Sequence, residues 1–105
     1  LDELMIIVVG HVITRPETAA RITELCIEHS QRSRAEPGCI SHNVHVDCED
    51  PSRLVFVEQW TDAEALKAHF AVPESIAFVR EVRALAAART EMKVFEAQEA
   101  SPGKR

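Results

Sequence analysis

The polar residues set into apolar stretches of this chain are His11, His42, Asn43, His45, Glu58 and His69, and any chemistry would start from them. Across residues 54–60 (LVFVEQW), strand alternation puts Leu54, Phe56, Glu58 and Trp60 on one face. The next segment reads as a helix on which Leu66, His69 and Phe70 share a side. Together they would set a tryptophan, a phenylalanine, a carboxylate and an imidazole around one cavity between helix and sheet. The rings able to grip a planar ligand are Phe56, Trp60, Phe70, Phe78 and Phe95. The same residues also fit a plain core, with Trp60 packed and its N–H bonded to backbone, His69 capping a carbonyl, and His11 hydrogen-bonded within its strand.

A second group, His42, His45, Asp47, Cys48 and Glu49, has metal-ligand residue types. On a strand, however, His42 points away from the face shared by His45 and Asp47, so only the latter two converge. The remaining histidines and the cysteines (Cys26, Cys39, Cys48) lie scattered along the chain, and no metal site is expected. There is no Cys-x-x-Cys pair, Gly-rich phosphate loop or Ser/His/Asp order. The odd set of cysteines reads as reduced thiols, with Cys26 a small buried hydrophobe on a helix.

The elements that must position these groups follow from periodicity. Residues 5–14 (MIIVVGHVIT) are β-branched and read as a strand. Pro16 and Glu17 suit the first turn of a helix starting there, with Ala19, Ile22, Cys26, His29 and Ser33 on the sheet side and Arg21, Glu24, Glu28 and Arg32 pointing elsewhere. Pro37-Gly38 ends the connection. Residues 39–47 and 54–60 form a hairpin around Asp50-Pro51-Ser52. Thr61 and Glu64 stand at capping-box spacing for a helix over 62–70, which Pro73 stops. A further helix begins near Glu74 with Phe78, Val79, Val82, Leu85 and Ala86 as its stripe, and residues 92–97 are a last strand. The order β-α-β-β-α-α-β predicts an α+β, ferredoxin-like fold with an antiparallel sheet, one domain over 1–98 and a frayed end at 99–105.

Helices in that layout cover one sheet face only, so the other should be polar if it met water. Instead Ile7, Val9 and Ile13 are as apolar as Ile6, Val8 and Val12, and Val55 and Val57 as apolar as Leu54 and Phe56. An uncovered apolar face is an association surface, and a second copy is the economical cover, so a homodimer is expected. With 12 basic against 17 acidic residues and a net charge of -5, the chain lacks the footprint of a nucleic-acid binder. The longest apolar run, residues 5–9, falls far short of the ~20 needed to span a bilayer, so a cytoplasmic protein without membrane partners is expected. Residue 1 is Leu, so the native start is expected to lie upstream.

The segments GHVITRPE (10–17), SRAEPGC (33–39) and above all LVFVEQWTDAEALKAHFAVP (54–73) resemble the antibiotic biosynthesis monooxygenase family of dimeric α+β barrels, and most closely its quinol monooxygenase-like branch. The resemblance runs over nearly the whole chain. It implies a ferredoxin-like dimer and an oxygenase or oxidase that uses no cofactor, neither metal nor flavin, and acts with O2 on a small aromatic hydroquinone or phenol.

Such a reaction asks for a base, a water-poor aromatic pocket and a donor for the developing oxyanion. The resemblance then implies His69 as the base, since an ordinary imidazole titrates near neutrality. It implies Trp60 as a group stacking on the ring or donating its N–H. Phe56, Phe70, Phe78 and Glu58 would line the substrate site, and His11 and His42 would be second choices for base or oxyanion donor. The anthrone-oxidising members place an Asn four residues before the Trp and a Tyr six after it, where this chain has Phe56 and Leu66. The haem-degrading relatives carry a His where this chain has Phe78-Val79-Arg80, so haem is not expected. The rival classes are a non-catalytic dimer that binds a small apolar ligand, and an isomerase or haem-related member of the superfamily.

Overall fold

The structure is a computed structural model in which residues 4–102 are described. Strand β1 (Met5–Ile13) leads to helix α1 (Ala19–Ser33), then the hairpin β2 (Cys39–Val46) and β3 (Arg53–Trp60), then α2 (Ala63–Ala71), α3 (Pro73–Leu85) and β4 (Glu91–Ala97). The strands form one antiparallel sheet in the order β2-β3-β1-β4. This is the ferredoxin-like α+β arrangement that the alternation of apolar segments predicts.

The helix-side face carries the core. Ile6, Val8 and Val12 of β1 and Leu54, Phe56, Glu58 and Trp60 of β3 are all buried. One apolar cluster joins Val12, Leu54 and Phe56 to Ile22, Leu25 and Cys26 of α1 and to Val82 of α3. A second joins Ile6, Val8 and Trp60 to Leu66 of α2. On the opposite face Val9 and Val57, paired across β1 and β3, are 38% and 37% exposed, and Phe95 of β4 is 48% exposed.

Two local details differ from expectation. Residues 16–18 form a turn rather than the first turn of α1, because the Arg15 carbonyl accepts from both Thr18 and Ala19 before the helix begins. Helix α2 is capped by Asp62, whose side chain accepts from the Ala65 N–H at 2.8 Å, so the expected Thr61–Glu64 capping box gives way to a residue one position later. Pro73 does end α2, and it opens α3 at once in the N-terminal position that a missing N–H suits.

The turn before β2 is what brings α1, α2 and the sheet together. Gly38 has φ +83, and a Cβ there would collide with Ala65 of α2. The Gly38 carbonyl accepts from the Thr61 N–H at 2.8 Å. This close approach sets Glu36 beside His69, one helical turn beyond Ala65. Among the described residues no helix is long and apolar enough to cross a membrane. Residue 1 and residues 103–105 of the expected frayed end lie outside the described residues.

Candidate active site

A cleft of about 740 Å³ opens between α3 and the sheet. Gly10 contributes to its wall where Val8 and Val12 would otherwise have a side-chain neighbour on the same strand face. Phe56, Glu58, His69, Phe70 and Phe78 line it, as does His11. His11 stands near Glu91 of β4, with Nε2 3.7 Å from Oε2. Trp60 and His42 do not line the cleft. Both are fully buried behind it.

Trp60 therefore takes a different place from the one expected. Its N–H donates to Glu58 Oε1 at 3.0 Å, so it is committed neither to a ligand nor to backbone, and its ring lies 4.6 Å from that of His69. A fully buried indole needs a partner for its N–H, and the carboxylate two residues back on the same strand face supplies one. Glu58 is thereby a polar group shared between the cleft and the core.

His69 Nδ1 meets Glu36 Oε1 at 2.8 Å, and the imidazole is 3% exposed. An ionised carboxylate accepts only, so Nδ1 carries the hydrogen of this contact, and in the neutral ring the lone pair is on Nε2. Glu36 is the positioning residue the sequence reading missed. It lies in the SRAEPGC segment, but nothing local shows that a turn would deliver it to a helix 33 residues on.

The metal expectation rested on scattered histidines, and that premise is overturned. His29, His42 and His69 come together, each offering one ring nitrogen within 4.8 Å of the others, and all three are buried. The separation of His42 from His45 by strand alternation holds, since Val44 and Phe56 pair on His42's side and His45 pairs with Val55 on the other. His29 was legible only as an imidazole in the apolar stripe of α1. It stacks on Phe78 with centroids 4.0 Å apart and rings nearly parallel. Arg32, expected to point away from the sheet, donates Nη2 to His29 Nδ1 at 2.9 Å and to Ser75 Oγ at 3.1 Å. Burial, with His42, His69 and Arg32 alongside, pushes the His29 pKa down to about 2, so the ring is neutral with its hydrogen on Nε2. His42 Nδ1 lies 2.8 Å from Ser30 Oγ.

The chain matches the sequence profile of the antibiotic biosynthesis monooxygenases over residues 5–81. An uncharacterized protein of Synechocystis, sll1783, is 31% identical over 94 residues, which are 90% of this chain and 64% of that protein. The chain thus spans a little under two thirds of that relative's length. Among solved structures, an antibiotic biosynthesis monooxygenase superposes with a TM-score of 0.82 at 26% identity, covering 90% of this chain and 99% of that one. A Deinococcus radiodurans protein superposes with a TM-score of 0.88 at 25% identity over 95% and 99% of the two chains. A conserved protein of Methanosarcina mazei, 24% identical, shares the fold at a TM-score of 0.86 over 91% of this chain and 95% of its own.

Proposed function

This chain belongs to the antibiotic biosynthesis monooxygenase family, and we propose that it oxidises a small aromatic hydroquinone or phenol with O2, using His69 as the base. The observation that carries this reading is the Glu36–His69 pair at 2.8 Å on the border of an aromatic cleft. A carboxylate on Nδ1 fixes the tautomer and supports the imidazolium that forms when Nε2 takes a proton. Phe56, Phe70 and Phe78 supply apolar wall for a planar ring, and His29 lies with its face stacked on Phe78 and nearly perpendicular to Phe56. His29, neutral with its hydrogen on Nε2, lines the cleft and would be the donor to a developing oxyanion.

A hydroquinonate made by His69 is electron-rich enough to reduce O2 itself, so this step asks for no flavin. In the monooxygenase outcome one oxygen atom enters the ring and the other leaves as water. The hydroquinone then becomes a hydroxyquinone, and the four electrons that O2 gains come from the ring. In the oxidase outcome two electrons and two protons pass to O2, giving quinone and hydrogen peroxide.

Oxygen uptake by the metal-free chain with a panel of benzo- and naphthohydroquinones tests the reading, and peroxide yield separates the two outcomes. His69→Gln is expected to lower turnover by the ~10² to 10⁴ typical of a lost general base. Uptake no faster than the spontaneous reaction across the panel, or unchanged in His69→Gln, would sink it in favour of the ligand-binding alternative.

A further inference from the structure

We propose that His29, His42 and His69 form a binding site for one divalent transition-metal ion of the kind imidazoles prefer, such as Zn²⁺ or Co²⁺. Three histidines from α1, β2 and α2 meet at one point, with their nitrogens within 4.8 Å of one another. A tetrahedral ion bound at ~2.0 to 2.1 Å needs nitrogens about 3.4 Å apart, so the three rings must draw together as the ion binds.

Three further features point to an ion rather than to a settled core. His42 is fully buried, yet among the described residues its Nε2 has no hydrogen-bond partner. It lies 3.3 Å from Glu58 Oε2 but not in hydrogen-bonding geometry. A buried imidazole nitrogen left without a partner costs free energy, and a metal would satisfy it. Next, two of the three rings have their far nitrogen held from behind, His69 Nδ1 by Glu36 and His42 Nδ1 by Ser30. That is the arrangement by which outer groups orient metal-ligating imidazoles and fix their tautomer. Last, the carboxylates of Glu36 and Glu58 flank the cluster and offset the charge of a dication.

One contact opposes binding. Arg32 Nη2 occupies the Nδ1 lone pair of His29, which keeps the hydrogen on Nε2. For His29 to ligate, Arg32 must release it and keep only Ser75 Oγ, to which it is already bonded. His29 is therefore the weakest of the three ligands, and Arg32 sets the affinity by competing with the ion.

Isothermal titration of the dialysed full chain with zinc chloride tests the site, with ring-nitrogen NMR of the histidines as a second readout. One equivalent of zinc per chain is expected. His42→Gln and His69→Gln should each weaken binding by about 100-fold or more, and His29→Gln by less. Arg32→Gln should tighten it, and His45→Ala, altering an exposed histidine on the other sheet face, should leave it unchanged. If the glutamine variants fail to fold, zinc added to the unaltered chain must still move the ring nitrogens of His42 and His69 and not those of His11 and His45. Absence of uptake at micromolar zinc, or uptake reported by His11 or His45 instead, overturns the proposal. An ion here takes the His69 lone pair, so turnover is not the readout. Loss of the oxygenase reading would leave this one standing, and the reverse also holds.

Discussion

The Trp60 N–H donates to Glu58 Oε1 at 3.0 Å, across two residues of one strand face in a region closed to water. That bond turns the ring from a substrate contact into part of the scaffold behind the cleft. Trp60→Phe is accordingly expected to destabilise the fold by about 1 to 3 kcal/mol, because it leaves a buried carboxylate oxygen without its donor. Ligand affinity should change little. Urea unfolding followed by circular dichroism measures the first effect and a substrate titration the second. Weakened binding with unchanged unfolding would return Trp60 to the site.

On the proposed reading, Glu36 acts only through His69, whose Nδ1 it holds at 2.8 Å. Glu36→Gln keeps an acceptor on Nδ1 but removes the negative charge that supports the imidazolium. Turnover should fall by part of the ~10² to 10⁴ that loss of the base would cost, with KM little changed. A rise in KM with kcat intact would mean that Glu36 shapes the cleft rather than tuning the base.

Local period explains which parts of this architecture can be read from residue order. The face shared by Leu54, Phe56, Glu58 and Trp60 needs only the two-residue repeat of a strand, and those four are the buried residues of β3. The stripe of α1 likewise puts Ile22, Cys26, His29 and Ser33 inside. What period cannot report is where elements meet. His29 and His42 are 13 residues apart and His42 and His69 a further 27, and their meeting depends on the turn at Gly38 and on how closely α2 approaches it. The choice of Glu58 as partner for Trp60 is of the same kind, since a free backbone carbonyl would have served as well.

The uncovered sheet face is expected to be closed by a second copy of the chain. Val9 and Val57 lie opposite each other there and remain more than a third exposed, and Phe95 projects from the neighbouring strand. Leaving such a face in water forgoes roughly 25 cal/mol for each Å² of apolar area. Sedimentation at micromolar concentration should give about twice the 11.7 kDa chain mass. Val57→Asp, which puts a charge at the centre of the face, should shift the protein to monomer. A monomeric parent protein would contradict the expectation.

The buried thiol of Cys26 makes stability fall at high pH. Burial pushes its pKa up to about 12, while in the unfolded chain an ordinary thiol ionises near 8.5. Between these values the unfolded state gives up the proton and the folded state keeps it, so the unfolded state binds fewer protons and stability declines as pH rises. The contribution is complete below about pH 8.5 and is lost at up to about 1.4 kcal/mol for each unit above it, until the folded-state value is reached. Lysines titrate in the same range, so the signal is the difference between the parent chain and Cys26→Ala. The variant should start less stable, because a sulfur is removed from a packed position among Ile22, Leu25 and Val82, and then lose less stability between pH 8.5 and 10. Thiol labelling at pH 8 provides an independent check. Cys48 is exposed and should react at once, whereas Cys26 should react only as fast as the chain opens. Parallel stability curves for the two proteins, together with rapid labelling of Cys26, would show that the α1 face is open to solvent.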